Sequence, residues 1–176
     1  MNIAVVSYSH TGNNERLAVN VAKGLSASHI KITVDKPVTG GSIALDMLLG
    51  RTPKSQPSPE SLKNFDFVLY VGAVWMGQVA SPLRRYLHAQ RTQPRAYGYL
   101  SISGGADGNN PKLSAELERW TGCIPSILMD LHIRDLLPMV PQPTRKDTSA
   151  YRITDAVAQQ LAKVAIQTVK QTLGMD

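Results

Sequence analysis

The residues best suited to chemistry lie near the N-terminus, in Ser7-Tyr8-Ser9-His10-Thr11-Gly12-Asn13-Asn14-Glu15. A short apolar run, Ile3 to Ser7, leads into them, and a helix-spaced stripe of Leu17, Val21, Ala22 and Leu25 follows. A polar loop between a strand end and a helix start gathers the unpaired N–H groups of the first helical turn at the positive end of the helix dipole. That arrangement suits an anion. Ser9, Thr11, Asn13 and Asn14 add short side-chain donors, and Gly12 permits a turn that a Cβ would oppose. His10 either assists or faces solvent. The loop holds no Lys or Arg, and the chain lacks both the GxxxxGK pattern of triphosphate clamps and the GxGxxG pyrophosphate turn. A single terminal phosphate needs neither, because several hydrogen bonds to a charged acceptor, each worth roughly 1.5–3 kcal/mol, can hold it. The alternative is an N-cap cluster that binds nothing, for which one cap residue would suffice.

Two more polar or glycine-bearing loops follow apolar runs. One is Gly72-Ala73-Val74-Trp75-Met76-Gly77-Gln78-Val79-Ala80-Ser81-Pro82; the other is Ser103-Gly104-Gly105-Ala106-Asp107-Gly108-Asn109-Asn110, with Pro111 placed to start a helix. Strands that could carry these loops are Ile3–Ser7, Ile30–Val34, Phe67–Ala73, Tyr97–Ser103 and Ile127–Leu131. The first, third and fourth are almost continuously apolar or aromatic, as strands buried on both faces of a parallel sheet must be. Helical stripes alternate with them: the Leu17 stripe, Ile43 to Leu49, a segment from Pro82 through Leu83, Tyr86 and Leu87, then Leu113, Leu117 and Trp120, and finally Val157, Leu161, Val164, Ala165 and Val169. Five βα repeats predict an α/β fold, a doubly wound five-stranded parallel sheet with helices on both faces. A ligand then sits at the carboxyl ends of the strands, at a topological switch point.

Residues 1–176 suit a single domain with one core. Hydrophobic residues are 43% and charged residues 18% of the chain, which excludes a disordered protein. No apolar run approaches the ~18 residues of a membrane span, and the N-terminus lacks the basic start of a signal peptide. One cysteine, Cys123, permits no internal disulfide, so a reducing cytoplasm is the expected location. His10, His29, His88 and His132 are scattered without metal-ligand spacing. Two connections are long and proline-rich: Asp35 to Asp66 (Pro37, Pro53, Pro57, Pro59) and Leu131 to Arg152 (Pro138, Pro141, Pro143). Each is either a functional lid or docking surface or a rigid packing loop. Net charge is +6, with Arg84, Arg85, Arg91 and Arg95 clustered without an intervening acid. Such a balance favours an acidic or anionic partner. Aromatic content of 6% disfavours nucleic acid read by base stacking.

Ser9-His10-Thr11-Gly12-Asn13-Asn14 resembles the FMN-phosphate loop of the flavodoxins, departing from it in Asn14, where a hydroxyl residue is usual. The second loop is similar to the family's W-x-G element followed by a proline-started helix. The resemblance implies a flavodoxin-like fold with FMN as cofactor. The cofactor-binding residues it implies are Ser9, His10, Thr11, Gly12, Asn13 and Asn14 at the phosphate; Ala73, Val74, Trp75, Met76 and Gly77 beside the ring; and Ser103, Gly104, Gly105 and Gly108 at its polar edge. In such proteins a peptide at the Gly77 position can turn to donate to, or accept from, the flavin N5.

The third loop departs from the family, because no tyrosine lies between Tyr99 and Tyr151 to stack on the outer ring face. That face is then open, covered by a proline-rich loop, or available to substrate. The basic charge is a second departure, since flavodoxins are typically acidic. Arg84, Arg85, Arg145 and Lys146 are candidates for the flavin rim, or serve solubility. The resemblance implies electron transfer through bound FMN to a redox partner protein. The alternatives are an NAD(P)H-dependent quinone or flavin reductase, a menaquinone-linked enzyme resembling bacterial protoporphyrinogen oxidase, and a binding module of this fold that has lost FMN.

Overall fold

The computed structural model describes residues 1–36, 38–105 and 108–175. Of the residues singled out above, Pro37, Ala106 and Asp107 therefore lie outside the described residues. Five strands, β1 Ile3–Tyr8, β2 Ser28–Lys31, β3 Phe67–Gly72, β4 Ala96–Ser103 and β5 Ile127–His132, form one sheet in the order β2-β1-β3-β4-β5. Every neighbouring pair is parallel. Among the described residues six α-helices accompany them: α1 Asn13–Gly24, α2 Gly40–Leu49, α3 Ser81–Ala89, α4 Leu113–Thr121, α5 Arg145–Ala150 and α6 Asp155–Leu173.

The central strands β1, β3 and β4 are buried on both faces, which explains their continuous apolar runs. Along β1, Ile3 and Val5 enter one core with Leu17 and Val21 of α1 and Ala158, Ala162 and Val169 of α6. Ala4 and Val6, one residue out of phase, enter the other with Leu83, Tyr86 and Leu87 of α3 and Leu113 and Leu117 of α4. The period of two along each strand thus feeds two separate helix layers.

The order places β1 between β2 and β3, so the chain leaves β1 toward one side and reaches β3 on the other. This is a switch point, and the loops after β1 and β3 flank the crevice it opens. The expected Ile30–Val34 strand is corrected. Sheet pairing covers Ser28–Lys31, and Thr33–Val34 instead pair antiparallel with Ser55–Gln56. β2 is an edge strand with exposed ends, so its apolar pattern is weak, and the chain leaves the sheet at buried Ile32. The long connection after β5 is also more structured than its prolines suggest, since it contains α5.

Candidate functional site

The three loops converge on one cavity of about 470 Å³ at the carboxyl ends of β1, β3 and β4. Its first wall is the turn into α1. Gly12 stands at the N-cap with φ 88°, a left-handed conformation that glycine adopts without penalty. No side chain caps the helix from that position, so the first-turn N–H groups must find partners elsewhere. Ser9 Oγ accepts from the Asn14 N–H at 3.2 Å. His10 and Thr11 line the cavity itself.

The second wall is a hairpin in which Val74 pairs with Val79 and Trp75 with Gln78. Its two turn residues, Met76 and Gly77, have φ values of 50° and 75°. Positive φ at both central positions marks the tight turn that matches strand twist, with a non-glycine residue held in the left-handed region. Trp75 packs edge-on against Tyr8 (centroids 5.8 Å apart) and His10 (6.3 Å), and so joins the first loop to the second. Burial pushes the Tyr8 hydroxyl up to about 12, with a smaller contribution from the Asp46 carboxylate.

The third wall joins Gly104 and Gly105 to α5. The Thr148 hydroxyl donates to the Gly104 carbonyl, and the backbone of Thr148 approaches so closely that a Cβ at Gly104 would meet it at 3.3 Å. α5 is thereby held against the cavity, presenting Arg145, Ser149 and, just beyond its end, Arg152. Thr144 and Asp147 close a capping box that starts this helix. Ser103 Oγ accepts from the Val74 N–H at 2.9 Å and ties the second loop to the third from below.

No family model matches the chain, and no curated protein sequence does. Solved structures do. A flavoprotein from Lactobacillus acidophilus NCFM, solved in complex with FMN, aligns over 74% of this chain and 91% of its own, with a TM-score of 0.59 at 18% identity. A flavodoxin from the domain Archaea aligns over 98% and 99%, with a TM-score of 0.54 at 15% identity. A protein from Bacteroides uniformis ATCC 8492, assigned as a flavoprotein, aligns over 92% and 97%, with a TM-score of 0.64 at 14% identity. The fold is that of the flavodoxins.

Within this flavodoxin fold the expected site residues divide. His10, Thr11, Asn13, Asn14, Ala73, Val74, Trp75, Met76, Gly104 and Gly105 line the 470 Å³ cavity. Ser9 and Ser103 lie behind its wall, each accepting a backbone N–H. Gly12 borders a shallow groove on the outer side of α1. Gly77 borders a neighbouring cavity of about 570 Å³, between the hairpin and the start of α4. Gly108, with φ 87°, does not border the 470 Å³ cavity.

Two expectations about side chains are corrected. Asn13 and Asn14 are not free donors. Both are buried, and each amide acts as a piece of backbone. Asn14 Nδ2 donates to the Ile102 carbonyl and its Oδ1 accepts from the Ile102 N–H, both at 2.9 Å. Asn13 does the same to the link between α5 and α6, donating to the Tyr151 carbonyl (3.0 Å) and accepting from the Ile153 N–H (3.1 Å). Arg84 is not a rim cation either. It is fully buried, donates to the carbonyls of Asp46 and Arg51 and to Gln78 Oε1, and lies 5.3 Å from the Trp120 ring. Beside it, Glu116 accepts from the Trp120 indole and pairs with Arg119.

Sequence reasoning also missed wall residues. Thr148, Ser149 and Arg152 were not singled out, although the Thr144 to Asp147 spacing is a capping-box signal visible in the sequence. Ile43 of α2, Ile102 and Ile133 line the cavity as well, and nothing in their local pattern separates them from core residues.

Proposed function

We propose that the protein binds FMN in the 470 Å³ cavity and works as an FMN-dependent redox protein. The observation that carries this reading is the convergence in one cavity of a helix N-terminus without a side-chain cap at Gly12, an edge-on tryptophan and the Gly104–Gly105 backbone. The volume lies within the ~300–1,000 Å³ of ordinary cofactor sites. A further fit comes from Gly105, where a built Cβ meets nothing within 4 Å, so space remains for a ligand against the backbone. The Lactobacillus acidophilus flavoprotein, which shares the fold, is solved with FMN.

Bound FMN would supply one- and two-electron chemistry. The protein's part is to bind and orient. The first turn of α1 and the Thr11 hydroxyl hold a phosphate through dipoles, and Arg145 and Arg152 on the α5 side add positive potential. Trp75, fixed by Tyr8 and His10, gives the ring an apolar neighbour, while the Met76–Gly77 peptide lies at the tip of the adjoining hairpin. α5, held by Thr148 to the Gly104 carbonyl, forms the cavity wall on the Gly104 side.

Electron transfer to a protein partner is the leading role. The second cavity favours an enzymatic version, in which NAD(P)H or a quinone enters. It reaches Met76 and Gly77 from the other side of the hairpin and leaves room for a second reactant. The test is to mix the purified chain with FMN, record the visible spectrum, and then reduce it stepwise. A shifted spectrum with one equivalent bound supports the reading, and steady NAD(P)H consumption with an added quinone selects the enzyme. An unshifted spectrum removes FMN and leaves the binding-module alternative.

A further inference from the structure

α2 is a helix turned inside out. Its single charged residue, Asp46, faces inward, where Oδ2 accepts from the Ser81 hydroxyl at 2.9 Å. Met47 is buried beside Arg84, and Ile43 lines the 470 Å³ cavity. The opposite face, Gly41, Ala44, Leu45, Leu48 and Leu49, looks outward and carries no polar group. Leu48 is 82% exposed, Leu49 56% and Leu45 41%. A surface helix normally shows the reverse pattern. The helix is nevertheless well built, with a Thr39–Ser42 capping box at its start and Gly50 in the left-handed conformation at its end. Its outward leucines are therefore a stable feature of the surface.

The charges around this stripe are mainly positive, with the exposed acids Asp35 and Glu60 standing just outside the segment that carries it. From Lys36 to Pro59 the cations are Lys36, Arg51 and Lys54, all exposed, and the only acid is the inward-facing Asp46. The chain as a whole carries +6. A partner must therefore be apolar where the leucines meet it and anionic around them. A protein interface usually needs about 800 Å² on each side with matched shape. Three leucines on a convex helix only about 15 Å long fall short of that. A bilayer requires no matched shape: an apolar stripe enters the headgroup boundary, and flanking cations meet lipid phosphates.

We propose that α2 docks this protein peripherally on an anionic bilayer, with Leu45, Leu48 and Leu49 inserted and Lys36, Arg51 and Lys54 on the headgroups. None of the described helices is long and apolar enough to cross a membrane, so the attachment is to the surface. The docking does not depend on FMN. If the FMN reading also holds, Ile43 on the inner side of the same helix keeps the cavity about one helix diameter, some 10 Å, from the lipid. A lipid-dissolved acceptor would then be within easy reach.

The experiment is flotation of the purified protein with two kinds of vesicle, pure phosphatidylcholine and phosphatidylcholine mixed with phosphatidylglycerol. Each is run in low and in high salt, with and without added FMN. The account expects binding to the anionic vesicles at least about tenfold stronger than to neutral ones, weakened by salt and indifferent to FMN. Leu45→Gln/Leu48→Gln should abolish it, while Arg51→Gln/Lys54→Gln should weaken it and flatten its salt dependence. All these side chains are exposed, so circular dichroism and FMN affinity should not change. Absence of binding to either vesicle overturns the proposal, as does binding that survives the leucine substitutions. So does a dimer in sedimentation velocity that Leu48→Gln converts to a monomer, which would make the occupant a second copy of the chain. FMN affinity is measured separately, so failure of docking and failure of the cofactor reading are told apart.

Discussion

The two ends of the 470 Å³ cavity are built by opposite means. At the α1 end, two adjacent buried asparagines bind the loop to backbone from distant parts of the chain: Asn14 to Ile102 in β4, and Asn13 to Tyr151 and Ile153. At the hairpin end, Met76 is 75% exposed, a Cβ at Gly77 would meet nothing within 4 Å, and the turn is held by its own two-residue ladder and by Ser103 beneath Val74. The contrast teaches a division of labour. A rigid end can hold a fixed phosphate with dipoles that need no reorganisation, while a lightly restrained end can let a peptide change its orientation against a ring.

The sharpest way to break this comparison is Asn14→Ala. It strands the buried N–H and carbonyl of Ile102, which should cost about 2–4 kcal/mol of stability. Urea denaturation of the variant checks it, and a loss below 1 kcal/mol, on the order of a surface change, would mean the clamp is not what makes this end rigid. Gly12→Ala comes next. Open space surrounds a Cβ there, so the cost is the left-handed backbone alone, roughly 1–2 kcal/mol. Calorimetric titration should show FMN affinity falling with it.

At the other end, Gly77→Ala meets the same backbone restriction in a turn exposed to solvent. Its main effect should be on the flavin potentials, with a smaller change in FMN affinity. A spectroelectrochemical titration alongside a binding titration compares the two, and equal changes would remove the proposed role of the peptide. Trp75→Ala sharpens the boundary between the ends. Uncovering Tyr8 should lower its pKa from about 12 toward the usual value of about 10, read as tyrosinate absorbance near the alkaline limit. The sign for stability follows. The folded state keeps the Tyr8 proton to higher pH than the unfolded chain does, so this contribution is present below about pH 10 and is lost as pH rises toward 12.

Much of this contrast was legible in the sequence, but unevenly. β1, β3 and β4 stand out because both their faces are buried, and continuous apolar runs leave no ambiguity of phase. The position of the first loop followed from a strand leading into a helix stripe. The jobs of Asn13 and Asn14 did not, because their partners lie 88 to 140 residues away and an asparagine that binds backbone has the same local signature as one that binds a ligand. Arg84 misled in the same way, since its burial depends on α2 and Gln78 folding over it. α5 is six polar or small residues with no stripe, and only its capping box announces it.

The most direct test of the account compares FMN with riboflavin, titrated separately into the flavin-free protein and followed by flavin fluorescence. If the rigid end grips a phosphate, two charged hydrogen bonds at roughly 1.5 kcal/mol each predict about a hundredfold preference for FMN, and Thr11→Ala should narrow it. Equal affinities for the two flavins, or no binding of either, would contradict it.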